Sequence, residues 1–417
     1  MKKTLSVVLT VAMLLTLCCF AMAEEGKTLT VVTWDATTTP YLDAQKAAFE
    51  AANPGVTIEY VDIASQDYAT KASTMLAGGD TSDVFMVKEI TDMLNWKNAG
   101  YIESLNDFAA ASSYDLSGFV GIDGNYAVDG EQFALPFRSD FWVLFYNKDL
   151  FDAAGEAYPT NDMTWDEFAD LAIRLSDSEK DIWGTHYHTW LSAVVNWDVC
   201  DGVNTLIDGN YDDMAYFYNI YQKIEDNGGC MPYSEVKAAG LHYSGAFGNG
   251  NIAMMPMGYW YVSTLISNIN SGDYNVKNWG IVAVPHADGV AAGSSFGNLT
   301  GVAINAKSEN KDLAWQYISW LAGEEGSKAT ASVGARPAWV SEEVAAAMAS
   351  VEGFPTDEAS KVALIPSMVS IELPASEHSS EISTALNEEH TLIMTRENTV
   401  EEGIEAMNER VADILGE

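Results

Sequence analysis

The apolar positions of this chain alternate between short β-branched runs and stretches of helical period. Thr28 to Trp34 (TLTVVTW) reads as a buried strand. Pro40 to Ala52 reads as a helix, with proline suited to a first turn and Asn53-Pro54-Gly55 as its stop. Val56 to Val61 is a second strand, Ser65 to Ala77 a helix ended by Gly78-Gly79, and Asp83 to Val87 a third strand. This β-α-β-α-β order predicts a doubly wound parallel arrangement at the start of the chain.

Further on, Tyr126 to Phe137 reads as a hairpin around Asp129-Gly130, and Phe141 to Tyr146 as a strand. Thr164-Trp165-Asp166-Glu167 is a capping box, and Phe168, Leu171, Ala172 and Leu175 fall on one face of the helix it opens. A region rich in helices and aromatics runs to about Asp273. Trp279 to Pro285 and Thr300 to Asn305 follow as strands, Asp312 to Ala322 as a helix with Leu313, Tyr317, Ile318 and Leu321 inward, and the last 60 or so residues as acidic helices. An α/β unit at each end of a helix-rich middle, without a linker, predicts lobes that share several chain crossings.

The N-terminus departs from this pattern. Lys2 and Lys3 precede an apolar stretch from Leu5 to Phe20, and Ala21-Met22-Ala23 is a small-residue cleavage site. Residues 1–23 therefore read as a secretory signal peptide cleaved after Ala23, because the apolar run is short for a bilayer span. Cys18 and Cys19 lack the small preceding residue of a lipoprotein signal, which favours a freely secreted protein over a lipid-anchored one. Cys200 and Cys230 remain; they read equally well as a disulfide and as two buried thiols.

Charge removes whole classes of partner. Of 417 residues 60 are acidic and 21 basic, a net charge of −39, although only 19% are charged and 48% are hydrophobic. This is a globular balance with few basic groups, and its field repels nucleic acid and anionic lipid. No phosphate loop, dinucleotide fingerprint or zincin motif is present. Asp208 to Asp213 begins like a calcium loop but has Asp213 where glycine is needed, so it reads as a solvated acidic turn. Gly293 to Gly297 (GSSFG) has the spacing of a hydrolase elbow but the wrong flanks, and reads as a flexible turn. His186, His188 and Cys200 lack a fourth ligand, so neither a metal nor a cofactor is expected.

The positive signal comes from aromatics. A core uses some of the 12 Trp and 19 Tyr, but Trp34, Trp190 and Trp260 sit where strands or helices give way to loops. Flat indoles cover the apolar faces of a sugar ring while carboxylates, amides and cations satisfy its hydroxyl rim.

Several ordered stretches then carry a resemblance. Phe49 to Val56 (FEAANPGV), Leu76 to Phe85 (LAGGDTSDVF), Leu135-Pro136-Phe137 leading into Leu144 to Phe151 (LFYNKDLF), and Met163 to Phe168 (MTWDEF) occur in sequence. Ala253 to Trp260, Gly280 to Pro285, Gly301 to Ile304 (GVAI) and Ala314 to Leu321 continue the series. Together they resemble family 1 of the extracellular solute-binding proteins, the carbohydrate-importer family that includes maltose-binding protein.

The resemblance implies a type II periplasmic-binding-protein fold: two α/β lobes, each a mixed sheet flanked by helices, with the ligand cleft between them. It implies lobes at 24–138 plus 297–336 and at 139–296 plus 337–417, with crossings near 137–142, 293–300 and 334–338. It further implies a monomer outside the cytoplasm, without catalysis, that captures a neutral mono- or oligosaccharide by hinge closure and delivers it to the permease subunits of an ABC importer. By position it points to Trp34, Lys88, Glu89, Arg138, Asp140, His188, Trp190, Trp260, Asn298 and Arg336 as ligand-binding residues. Val87 stands where maltose-binding protein has an aromatic, so the identity of the sugar does not carry over. The acidic candidates also suit a polyamine or metal-chelate receptor of the same fold, and the pair Asp140 and Glu89 a secreted glycoside hydrolase.

Overall fold

The computed structural model describes residues 26–115, 126–339 and 341–416. The signal segment predicted at 1–23, with Cys18 and Cys19, lies outside the described residues.

The first strands form as the pattern predicts. β1 (Lys27–Trp34) pairs in parallel with β2 (Val56–Ile63) on one side and with β3 (Val84–Val87) on the other. Helices Pro40–Ala52 and Tyr68–Gly78 make the crossovers. Alternation along the strands sends Leu29, Val31, Val84 and Met86 to one face, where Phe49, Trp315, Tyr317 and Ile318 cover them. Val32, Phe85 and Val87 go to the other, against Tyr68, Leu76, Met93 and Trp96. Apolar cover on both faces is why β1 and β3 carry no charged residue after Lys27.

The predicted hairpin is small. β4 (Ala127–Val128) and β5 (Glu131–Gln132) turn through Asp129 and Gly130, both at positive φ. β6 (Leu135–Asn147) is longer than predicted and buried along its whole length. Its second half enters another sheet, pairing antiparallel with β8 (Ile252–Gly258) and β9 (Trp279–Ala283), while β7 (Trp183–Thr185) extends β8 in parallel. β10 (Ser294–Ile304) is the second long strand. It pairs with β11 (Met368–Ile371) at its start, with β6 in its middle and with β3 at its end. Both sheets thus join into one nine-stranded sheet along the path β2-β1-β3-β10-β6-β8-β7, with β11 beside β10 and β9 beside β6 off that path, and β6 and β10 belong to both halves.

One prediction is corrected here. Ser294 to Gly297, expected as a flexible turn, is buried strand, and only Gly293 at φ +81° makes the turn. The small residues are needed because β11 and β6 close on β10 from either side: a Cβ on Gly297 would lie 2.0 Å from the Asp140 carbonyl oxygen.

The second half has one large core. Trp142, Leu144, Trp165, Phe168, Tyr218, Met255 and Ile281 share it with Leu386, Ile393, Met407 and Val411 from the two long C-terminal helices, Ser379–Met394 and Val400–Leu415. Cys200 and Cys230 are buried in it as free thiols. Its helix Trp165–Leu175 starts at the predicted box: the Thr164 hydroxyl accepts from the Glu167 N–H, and Glu167 Oε2 accepts from the Thr164 N–H at 3.0 Å. Phe168, Leu171, Ala172 and Leu175 are all buried. Thr164→Ala is expected to lower unfolding stability by about 1 kcal/mol in urea denaturation, the ordinary value of an N-cap.

Candidate functional site

The site is built around the middle of β6. Arg138 is opposite Thr300 of β10 and forms an isolated bridge with Pro337, whose neighbour Ala338 donates its N–H to the Phe137 carbonyl at 3.0 Å. The three stretches read as crossings therefore lie side by side here. Arg138 is buried; it donates to Thr300 Oγ1 at 2.7 Å, pairs with Asp140 at 3.3 Å and lies 5.2 Å over the Tyr41 ring. Arg336 donates to Ser139 and covers the Phe141 ring at 5.3 Å. Asp140 is 3% exposed, and its Oδ1 has no hydrogen-bond partner among the described residues. Burial pushes its carboxyl up while Arg138 and Arg336 pull it back.

Further first-half candidates gather at the ends of β1 and β3. Trp34 is half-buried, edge-on to Tyr68 at 4.8 Å, with Lys88 Nζ at 5.7 Å from its ring. Lys88 Nζ also donates to the Ser65 carbonyl and hydroxyl, at 2.9 and 2.8 Å. Glu89 caps helix Ile90–Asn98 and accepts from Asn298 Nδ2 at 2.6 Å. Glu89 is open to water, yet burial raises its carboxyl, with Lys88, Asn298 and Arg138 opposing. Exposure together with desolvation marks a residue on the floor of a cleft rather than on a convex surface.

The second half supplies an aromatic wall. The Trp260 indole lies against Gly258, where a Cβ would come within 1.9 Å of the ring, and stands edge-on to Trp142 at 5.4 Å. Its Nε1 donates to Tyr243 Oη at 3.1 Å. The Tyr243 ring meets Trp190 at 5.6 Å and His188 at 5.5 Å, and His188 meets Trp190 at 4.3 Å. Burial lowers His188 to about 3 and His186 to about 4, so both imidazoles are neutral at pH 7. The two sets face each other: the charges of Arg138 and Asp35 reach the Tyr243 phenol, and those of Asp35 and Lys88 reach the His242 imidazole. Two hollows elsewhere, about 320 Å³ beside Ser294 and about 400 Å³ beside Asp198, are lined by none of the candidates.

The structure thus brings His188, Trp190 and Trp260 into one wall and Arg138, Asp140 and Arg336 into one charged knot. Asn298 lies opposite Asp140 and donates to Glu89, and Lys88 lies against Trp34 at the end of β1. Sequence reasoning missed Asp35, Tyr41, Asn196, His242, Tyr243 and Glu372. Asp35 holds a left-handed conformation, φ 48°, just after Trp34, and accepts from the Ser65 N–H at 3.0 Å. Tyr243 sits in the polar run Leu241-His242-Tyr243-Ser244-Gly245, the kind of setting that singled out Trp190. Glu372 follows a strand that the sequence did not predict. Its N–H donates to the Gly297 carbonyl at 2.9 Å and its Oε1 accepts from Asn196 Nδ2 at 3.0 Å.

Burial, followed by the nearby Glu89 charge, pushes Glu372 up to about 8, against hydrogen bonds from Asn196 and Ser192. A carboxyl whose pKa is higher folded than unfolded takes up a proton on folding. Its stabilisation is complete below the unfolded value, about 4.3, and is lost as pH rises through about 8. Glu372→Gln is therefore expected to raise the melting temperature at pH 8.5 and leave it nearly unchanged at pH 4.5. Equal shifts at both pH values would show that the carboxyl does not titrate in this range.

A family model described as bacterial extracellular solute-binding protein matches residues 35–328. The chain belongs to this family. A solved sugar transporter from Rhizobium etli, in an open conformation, is 39% identical, with a TM-score of 0.76 over 92% of this chain and 98% of that one. The lactose-binding protein of Rhizobium radiobacter is 26% identical over 343 residues, 76% of this chain and 75% of its own length. An ABC substrate-binding protein from Listeria monocytogenes in complex with cycloalternan shares the fold, with a TM-score of 0.77 at 22% identity over 94% and 99% of the two chains. As a solute-binding protein the molecule has the two-lobed architecture, its family acts outside the cytoplasm, and that family consists of binding proteins.

Proposed function

We propose that this solute-binding protein captures a neutral mono- or oligosaccharide between its lobes and presents it to the permease of an ABC importer. The observation that carries this reading is the aromatic wall. Trp260, Trp190 and Tyr243 offer ring faces and edges, and across from them Asp35, Glu89, Asn298 and Arg138 offer acceptors and donors. Apolar faces opposed to a polar rim match the two surfaces of a pyranose. The lactose-binding relative and the sugar transporter support the same substrate class.

The lobes then run from 24 to 138 plus 297–336, and from 139 to 296 plus 337–417, closing about the paired stretches of β6, β10 and Pro337. The ten residues named by resemblance form the ligand-binding set, with Asp35, Tyr243 and Glu372 added. Residues 1–23 act as a signal peptide cleaved after Ala23, and the protein turns over no substrate. Calorimetry and tryptophan fluorescence against lactose, maltose, D-mannitol and common monosaccharides test the function. Saturable binding of a neutral glycan without its chemical change supports it. Tight binding of an amine or anion with no response to any glycan overturns it, and sugar release abolished by Asp140→Asn would make the protein a hydrolase.

A further inference from the structure

We propose that Tyr243 is the positioning residue of the cleft, fixing the rotation of the Trp260 indole and tying it to Trp190 and His188. Two constraints act on that indole. Gly258 and Trp142 bear on its ring, but these apolar contacts are not directional. The hydrogen bond from Trp260 Nε1 to Tyr243 Oη, 3.1 Å, is directional and selects one orientation. No other partner competes for that N–H among the described hydrogen bonds.

Tyr243 is itself well held. It opens helix Tyr243–Gly248, whose N-cap His242 accepts from the Ser244 N–H. The Tyr261 hydroxyl donates to the Ser244 carbonyl at 3.1 Å, fastening this helix to helix Tyr261–Ser271, and the Tyr261 ring stands edge-on to Tyr243 at 5.4 Å. Edge contacts at 5.6 Å to Trp190 and 5.5 Å to His188 pass the same constraint to the rest of the wall. Three rings drawn from two segments far apart in sequence, 188–190 and 260, thus take their mutual angles from one phenol. Preorganisation of this kind spares the ordering of side chains when a ligand arrives.

The proposal deepens the sugar-binding reading and rests on it for its consequence in affinity, but the hydrogen bond can be tested without any sugar. Protein labelled with ¹⁵N-tryptophan gives one indole N–H resonance per Trp, and the Trp260 line is the one lost in Trp260→Phe. In the wild type that line is expected at a hydrogen-bonded shift with slow solvent exchange. In Tyr243→Phe it moves upfield and exchanges faster, while the Trp96 line, whose N–H donates to Ser73 in the first lobe, stays. A wild-type Trp260 line with the shift and exchange of a free indole overturns the proposal, as does a line unmoved in Tyr243→Phe.

Affinity is the second readout, with whichever of lactose, maltose or D-mannitol the wild type binds. Tyr243→Phe should weaken it about fivefold, the worth of one neutral hydrogen bond. In a Trp260→Phe background it should change it by less than about twofold. Equal losses in both backgrounds mean that the phenol acts on the sugar directly, which overturns the positioning role. If none of the three sugars binds, the sugar reading is in question and the indole resonance still decides this proposal.

Discussion

Trp260→Ala is expected to weaken sugar binding by about 1–3 kcal/mol, roughly a 5- to 150-fold loss. The indole is half-buried before any ligand arrives: one face rests on Gly258, one edge meets Trp142, and its N–H is spent on Tyr243. What remains for a ligand is a fixed, partly dry surface, which is where stacking gains the most. Alanine removes that surface and leaves Tyr243 Oη without its donor. Calorimetry of the variant, beside a circular dichroism melt, separates lost binding from lost folding. Normal affinity in a folded Trp260→Ala protein would return this residue to the core. Gly258→Ala offers an independent check, since its Cβ would fall 1.9 Å from the ring and displace the indole without removing it.

The second large effect concerns stability. Gly297→Ala is expected to destabilise the protein by about 3 kcal/mol or more, at the upper end of overpacking costs. The new Cβ would meet a backbone carbonyl, that of Asp140, at 2.0 Å, so no side-chain rotation relieves the clash. Relief requires β6 and β10 to separate where both halves of the molecule share them. Urea denaturation should show a lower midpoint, and sugar affinity should fall as well, because Arg138, Asp140 and Asn298 flank the same register. An unchanged midpoint would mean that the two strands part at little cost. Gly301→Ala is the comparison: the nearest atoms to its Cβ would belong to the Tyr126 ring, at 2.7 Å, a side chain rather than backbone, so it should cost less.

Local signals were legible in the sequence. Helix Pro40–Ala52 has the limits its proline and Asn53-Pro54-Gly55 stop predict, and the Thr164 box opens its helix as expected. Both depend on neighbouring residues only. β10 was half read: Gly301 to Ile304 has the apolar pattern, but Ser294, Ser295 and Gly297 look like loop until β6 and β11 close on them. β11 was missed because it is four residues long and half-exposed. At the site, Trp190 and Trp260 announced themselves as aromatics at element ends. Tyr243 and Glu372 did not, because their roles arise from partners far along the chain, Trp260 for one and Asn196 and Glu89 for the other. Lys88 was named by its position after the third strand, yet its Nζ already serves Ser65, a use no local pattern displays.

The shared strands also bear on how the chain is made. The sheet begun by β1 to β3 lacks β10 until Ile304 has been synthesised, and the second core lacks Met407 and Val411 until almost the last residue. The first core can close once β10 and the residues to Ala335 have emerged, whereas the second waits for the C-terminal helices. Most of translation therefore passes with neither core complete, because β10, one of the two strands that join the halves, comes late in the chain.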